Sequence, residues 1–251
     1  MDIPTTLGLA RSLIVYRLNL AKQARLRRLY GRFVRPDDLT FDVGAHVGDR
    51  IWALRSLGCR VVAVEPQPAP LALLQRFYRN APDVVLEGCA LGAETGHADL
   101  LVSRRNPTVS SLSQDWVADA GQRPGFAAVA WDRPVSVAVE TLDRLIDRHG
   151  MPQFCKIDVE GFEAEVLRGL TRPIPVLSFE FLAARPDLAG ACLAELSRLT
   201  EYRFNIAYGE KLVLELPAWV DAAAMNAHLH SLPSGIASGD IYAMAGLPER
   251  A

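Results

Sequence analysis

The short run Leu39-Thr40-Phe41-Asp42-Val43 leads straight into Gly44, with Gly48 four residues further on, and no other stretch restricts the fold of this chain as much. An apolar run of this length, bounded by a turn residue, reads as a buried parallel strand. Gly44 lets the chain turn sharply with no side chain in the way. Gly48 then lets a helix start close against whatever the turn holds.

The same alternation continues downstream. Residues 47–57 read as a helix closed by Gly58, and 60–64 as a second strand ending at Glu65-Pro66. Residues 71–78 read as a helix, 84–87 as a third strand, and Ala90-Leu91-Gly92 as the turn after it. Strands alternating with helices across short connections predict an α/β fold, a mostly parallel sheet with helices on both faces. Further strands are predicted at 97–103, 135–139, 154–158 and 175–181, with helices at 141–148, 162–170 and 188–199. An antiparallel hairpin of 202–207 with 211–214, turning about Tyr208-Gly209-Glu210, and a strand at 240–244 close the chain. Residues 104–134 are the least regular. They form a lid-like insertion whose aromatics, Trp116, Phe126 and Trp131, either are exposed and line a pocket or make a small cluster of their own in a surface excursion.

Residues 37–251 are expected to form a single domain, with 1–36 as a basic helical segment packed on it. That segment carries eight Lys or Arg against Asp2, a charge of +7, which leaves -9 on the remainder of a chain whose net charge is -2. Such a helix suits peripheral contact with an anionic membrane, a nucleic acid or an acidic partner. The favoured reading is a helix laid across the domain on Leu7, Ile14, Leu18, Leu26, Leu29 and Phe33, with its arginines solvated. No apolar run approaches the roughly 18–20 residues that cross a bilayer, and no secretory pattern opens the chain. The four cysteines are scattered and mostly lie in apolar runs, as reduced core residues do, so a cytoplasmic protein is expected.

In an open α/β sheet, ligands bind beyond the carboxyl ends of the strands. The tips expected to meet there are Asp42-Val43-Gly44, Glu65, Cys89-Ala90 and Asp158-Val159-Glu160. Candidate cofactor contacts are Asp42, Gly44, Ala45, His46, Gly48, Glu65, Pro66, Cys89, Ala90 and Asp158. Glu65, twenty-one residues after Gly44, suits a ribose, because its two oxygens can accept from both hydroxyls. The turn has neither the G-x-G-x-x-G of a dinucleotide site nor the G-x-x-x-x-G-K-[ST] of a P-loop. An acid at position 42 disfavours phosphate and suits a cationic ligand such as S-adenosylmethionine.

Phe41-Asp42-Val43-Gly44-Ala45-His46-Val47-Gly48-Asp49, Val62-Ala63-Val64-Glu65-Pro66, Cys89-Ala90-Leu91-Gly92, Thr141-Leu142-Asp143 and Lys156-Ile157-Asp158-Val159-Glu160-Gly161-Phe162-Glu163 together resemble the FkbM family of S-adenosylmethionine-dependent methyltransferases. The likeness spans residues 38–182, and its last block is the most specific. His46 stands where the family often has Asn. The resemblance implies a class I, Rossmann-like methyltransferase fold and methyl transfer, usually onto a hydroxyl oxygen of a natural product, sugar or related small molecule. It also implies a small-molecule or glycan acceptor.

A hydroxyl is a poor nucleophile until its proton is taken. Asp158 and Glu160, alternate residues that point the same way in extended chain, are candidates for base, for acceptor of the cofactor's ammonium, or for ligands of a divalent cation. Glu180, an acid in an apolar strand, and His46, whose imidazole can titrate near neutrality, are further candidate bases. Lys156 can neutralise a neighbouring acid. Ser110 and Ser111 can reach cofactor or acceptor from the lid. His228 and His230 fall in a helix, where their spacing makes no metal pair. Two competing readings are a catalytically inactive binding or scaffold protein of the same fold, and a nucleic-acid methyltransferase. Only the basic first helix suggests the latter, which lacks an Asn-Pro-Pro-Tyr-like motif.

Overall fold

The structure is a computed structural model and describes residues 3–103, 105–121, 129–131 and 133–246. The chain begins with α1 (Ile3–Ser12), a π-helical turn at Leu13–Arg17 and α2 (Leu20–Tyr30). Then come β1 (Leu39–Val43), α3 (Asp49–Ser56), β2 (Arg60–Val64), α4 (Pro68–Tyr78) and β3 (Val84–Glu87). Next are β4 (Ala90–Leu91), β5 (Gly96–Val102), α5 (Gln114–Ala120), β6 (Arg133–Glu140) and α6 (Leu142–His149). The chain closes through β7 (Phe154–Ile157), α7 (Glu163–Arg168), β8 (Val176–Leu182), α8 (Pro186–Leu199), β9 (Tyr202–Tyr208), α9 (Ala222–Leu229) and β10 (Ser238–Ala245).

Among the described residues, seven strands make one sheet in the order β3-β2-β1-β7-β8-β10-β9. All pairs from β3 to β8 are parallel, and β10 is antiparallel to both its neighbours. The order reverses between β1 and β7, which creates the crevice where such sheets take ligands. Alternation along β2 sends Val62 and Val64 to one core and Val61 and Ala63 to the other. Residues of α6, α7, α8 and α9 fill the first core, and residues of α2, α3 and α4 the second. This is the expected Rossmann-like fold. No helix among the described residues is long and apolar enough to cross a membrane.

Three expectations need correction, and one alternative is decided. The stretch 211–214 is not a strand. Glu215 donates its N–H to Ile206 O (2.8 Å) and Val220 bridges Phe204, so the return segment does lie along β9, but Leu212 turns left-handed (φ 55°) and Pro217 lacks a donor. The regular antiparallel partner of β9 is β10.

Ala90-Leu91, predicted as part of a turn, is the short strand β4, because Ala90 and Leu91 pair with Val139 and Glu140, and with the strands predicted at 97–103 and 135–139 it makes a separate three-stranded sheet. The insertion holds the helix α5, whose Trp116 is 2% exposed. Trp131 is half-buried and donates its indole N–H to Val109 O (2.8 Å), so these two are packing residues, not exposed ones. Phe126 lies outside the described residues.

The leading segment packs only in part. Leu26 and Leu29 are buried and Phe33 packs against them, but Leu7, Ile14 and Leu18 are each about two-thirds exposed. The inward side of α1 and the π turn is instead set by Leu9, Ser12 and Arg17, whose guanidinium donates to Val47 O (3.2 Å) and Tyr78 OH (3.1 Å).

Candidate active site

Register alone brings three strand tips level. Val43 pairs with Val64 on one side and Ile157 on the other, so Gly44, Glu65 and Asp158 each follow directly beyond the sheet. Gly44 cannot be replaced freely. Its φ is +85°, and a Cβ there would sit 1.9 Å from the Asp158 carbonyl oxygen. The turn is held by Gly44 N–H and Ala45 N–H donating to Val64 O (2.9 and 3.0 Å), and by His46 N–H donating to Glu65 Oε2 (2.8 Å). Gln67 N–H occupies the other Glu65 oxygen at 2.8 Å.

Two clefts meet over this turn. The first is lined by Val43, Val64, Glu65, Pro66, Ala90, Leu91, Leu100, Leu112 and Phe162, an apolar slot with one buried carboxylate. Burial pushes Glu65 up to about 7, against the two backbone N–H groups that favour its charged form. A carboxylate has room for further hydrogen bonds beyond those two. The second cleft, with space of about 190 Å³, is lined by Tyr16, Lys22, Asp49, Arg50, Glu180, Glu210 and Asp240. Gly44, His46, Thr108, Asp158 and Glu160 line both.

The expected cofactor contacts divide accordingly. Gly44, His46, Glu65, Pro66, Ala90 and Asp158 reach the clefts. Asp42, Ala45, Gly48 and Cys89 line neither. Asp42 is shut beneath the turn with no hydrogen-bond partner for either oxygen among the described residues, and burial pushes it up to about 7. Ala45 packs in the core under α3. Gly48 (φ 78°) starts α3, and a Cβ there would meet Leu74 and Arg17 rather than a ligand. Cys89 follows the end of β3 and is buried in the first core.

Asp158, Glu160 and Glu180 do come together, offering carboxylate oxygens that all lie within 4.8 Å of one another. Strand alternation is not the reason. The strand stops at Ile157, Glu160 is left-handed (φ 54°), and Gly161 (φ 85°) follows. This turn is held by Glu163, whose Oε1 accepts from Val159 N–H (3.0 Å) and Gly161 N–H (3.3 Å). The insertion seats on it too. Ser111 Oγ donates to Glu160 O (2.7 Å), and a Cβ on Gly161 would lie 2.3 Å from Trp116. Ser110, by contrast, donates its hydroxyl to Gln67 Oε1 (3.0 Å) while lining the apolar cleft.

The three acids are not equivalent. Burial would raise Asp158, but Lys156 (3.5 Å) and Arg50 (3.3 Å) outweigh it and hold the carboxyl below the usual range. Burial, reinforced by Asp158 and Glu163, pushes Glu160 well above the ordinary carboxyl range. Burial, with Glu160 and Asp158 adding to it, does the same to Glu180. Two such carboxyls side by side share a proton rather than both ionising. His46 departs from expectation. Burial lowers it to about 4, so its ring is neutral near pH 7 and does not titrate there. Both its nitrogens lack a partner among the described residues, and its ring meets Tyr16 edge-on at 6.3 Å.

Sequence reasoning missed the ion network that surrounds these acids. Lys156 is fully buried and bonds Asp240 (2.7 Å), which faces it from β10. Lys22 of α2 bonds Asp49 (3.1 Å) and Glu210 (3.1 Å). Burial would raise Asp49, yet Arg50 and Lys22 hold it down at about 2. An acid amid the apolar run of β10 was a signal for Asp240. Nothing local pointed to Lys22. His228 bonds Tyr208 OH (2.6 Å).

A family model described as the methyltransferase FkbM domain matches residues 42–221. No curated protein matches the chain significantly. Among solved structures, a precorrin-6y C5,15-methyltransferase from Geobacter metallireducens GS-15 aligns at 12% identity with a TM-score of 0.46, covering 90% of this chain and 86% of that one. A TehB-like SAM-dependent methyltransferase from Corynebacterium glutamicum ATCC 13032 Kitasato aligns at 12% identity with a TM-score of 0.43, covering 88% and 87%.

Proposed function

The chain belongs to the FkbM methyltransferase family, whose cofactor is S-adenosylmethionine, and from that premise we propose that it methylates a hydroxyl oxygen of a small polar acceptor such as a sugar or related natural product. The residues present fit the cofactor. The apolar slot suits a purine, Glu65 at its floor suits ribose hydroxyls, and His46 holds two buried, unpartnered ring nitrogens where the slot opens into the acidic cleft. When bound, S-adenosylmethionine supplies an electrophilic methyl group on a sulfonium.

The chain's own residues would do the rest. Asp158, kept ionised by Lys156 and Arg50, favours a cationic ligand at the junction. The neighbouring Glu160 and Glu180 carry the reading: a pair sharing one proton can accept a second from an acceptor hydroxyl near neutral pH. The polar lining of the second cleft suits a hydroxyl-rich acceptor. Neutral His46 can hydrogen-bond that hydroxyl and fix its direction. The same three carboxylates could instead hold a divalent cation, which would orient the hydroxyl and lower its pKa.

The test is incubation with S-adenosylmethionine and a panel of polyhydroxylated acceptors, following a mass gain of one methyl on oxygen. Transfer only to nitrogen or carbon would refute the acceptor assignment. Activity that survives a chelator supports Glu160 and Glu180 as proton acceptors; activity that is lost and restored by added magnesium or manganese assigns them to a cation.

A further inference from the structure

Nine large apolar side chains are strongly exposed among the described residues, and five of them, Leu7, Ile14, Val15, Leu18 and Leu20, fall between positions 7 and 20. Their arrangement is regular. Leu7, Arg11, Ile14 and Leu18 recur at the spacing of one helix face, while Leu9 and Ser12 are buried on the other. α2 is amphipathic in the same way, with Leu20, Arg27 and Arg28 exposed and Lys22, Gln23, Leu26 and Leu29 buried. Arg17 pins the π turn to the domain, with its guanidinium 4.4 Å from the Phe77 ring centroid, so the outward face is displayed rather than free to roll inward.

Only part of the segment's charge is used within the domain, where Arg11 donates to Asn106 Oδ1 (3.3 Å). Lys22 and Arg17 are consumed by contacts within the domain. Arg27, Arg28 and Arg32 are exposed and, among the described residues, meet no carboxylate at ion-pair distance. The segment is +7 on a body of -9, so positive charge and exposed aliphatic side chains coincide in one short stretch of the chain. A nucleic acid would reward the arginines but not five aliphatic side chains. An anionic bilayer surface rewards both, taking the aliphatic side chains into its acyl boundary and the guanidiniums among its headgroups.

The geometry points to α1, the π turn and the outward face of α2 as a docking surface for an anionic membrane. This inference is independent of the acceptor assigned above. Tyr16, on the same helical run, lines the acidic cleft, so the docking element is also one of its walls.

The experiment is co-sedimentation of the full chain with vesicles of phosphatidylcholine, with and without phosphatidylglycerol. Binding is expected only to the phosphatidylglycerol vesicles, and it should weaken as salt is raised. The triple variant Leu7→Gln, Ile14→Gln, Leu18→Gln should bind about tenfold more weakly, as should Arg27→Ala, Arg28→Ala, Arg32→Ala. All six positions are exposed and outside both clefts, so circular dichroism and cofactor binding should not change. Absent binding, or binding unaffected by either triple variant, overturns the inference. So does a dimer in solution that the leucine variant converts to monomer, which would assign the face to a second copy, and so does RNA or DNA binding that displaces vesicles.

Discussion

The two clefts share Gly44 and Asp158 yet are built in opposite ways. The apolar cleft is centred on residues close in sequence, the turn after β1, the Glu65-Pro66 tip of β2 and the β4 segment, joined mainly by backbone hydrogen bonds and closed by the insertion and the β7 turn. The acidic cleft draws its side chains from α2, α3, the β7 turn, β8, the loop after β9 and β10, joined by ion pairs such as Lys156–Asp240 across 84 positions. The first can bind a constant ligand with backbone that tolerates little change. The second depends on a balance of buried charge, where each partner sets the protonation of the next.

The contrast is most sharply tested on the acidic side. Replacing Glu160 and Glu180 together with Gln should cut turnover by about 10²–10⁴-fold while leaving S-adenosylmethionine affinity within a fewfold, by single-turnover kinetics and calorimetry. In the parent enzyme, turnover should rise with pH through a window above the usual carboxylate range, because a base with a raised pKa must first ionise. That limb should vanish in the double variant. Loss of affinity with no change in turnover would merge the two clefts into one binding site.

Gly44→Ala attacks the boundary. It combines a left-handed φ with a Cβ driven into the Asp158 carbonyl, and it should cost roughly 2–4 kcal/mol in denaturant unfolding and abolish measurable cofactor binding. Glu65→Ala acts on the apolar side alone. It should weaken cofactor binding by about 1.5–3 kcal/mol, because it removes a charge-assisted acceptor and frees the His46 turn. Turnover at saturating cofactor should fall far less than in the double glutamine variant.

The prediction at Asp42, whose carboxyl is raised from 3.8 to about 7 by burial, touches neither turnover nor cofactor and is read as a slope of stability against pH. Its stabilising contribution is complete below about pH 3.8 and is lost as pH rises to about 7, since the folded state holds the proton longer. Asp42→Asn should therefore gain stability relative to the parent across that window, by up to about 1.4 kcal/mol per pH unit. Glu65 acts in the same sense and His46 in the opposite one, so only the parent-minus-variant difference isolates Asp42.

How much of the molecule was legible in its sequence follows the same division. The alternation of short strands and helices, the glycine turn and Glu65 could be read because each is a local pattern, and residues 39–65 contain the first cleft's central turn almost entirely. Asp158, Glu160 and Glu180 were identifiable as acids placed near strand ends. That Asp158 and Glu160 act together was read from an extended strand, whereas it rests on the left-handed turn at Glu160-Gly161, and the meeting of both with Glu180 left no local mark. Lys22 and Arg50 escaped because ion pairs between separate elements leave no mark in local spacing. The hairpin at 211–214 failed because β9 has a better partner in β10, thirty residues further along the chain. The leucines at 7, 14 and 18 have helical spacing, but spacing does not say which side of a helix meets the domain.

The contacts of Ser111 and Trp116 with the Glu160-Gly161 turn have a consequence for anyone re-engineering this enzyme. An insertion borrowed from a relative would be expected to change the acceptor while leaving the cofactor slot intact. Here the insertion is keyed to the turn like a lid to its hinge pin, so a transplanted loop would have to bring along a hydroxyl and an indole at those two places. Without them, the exchange would alter catalysis before it altered selectivity.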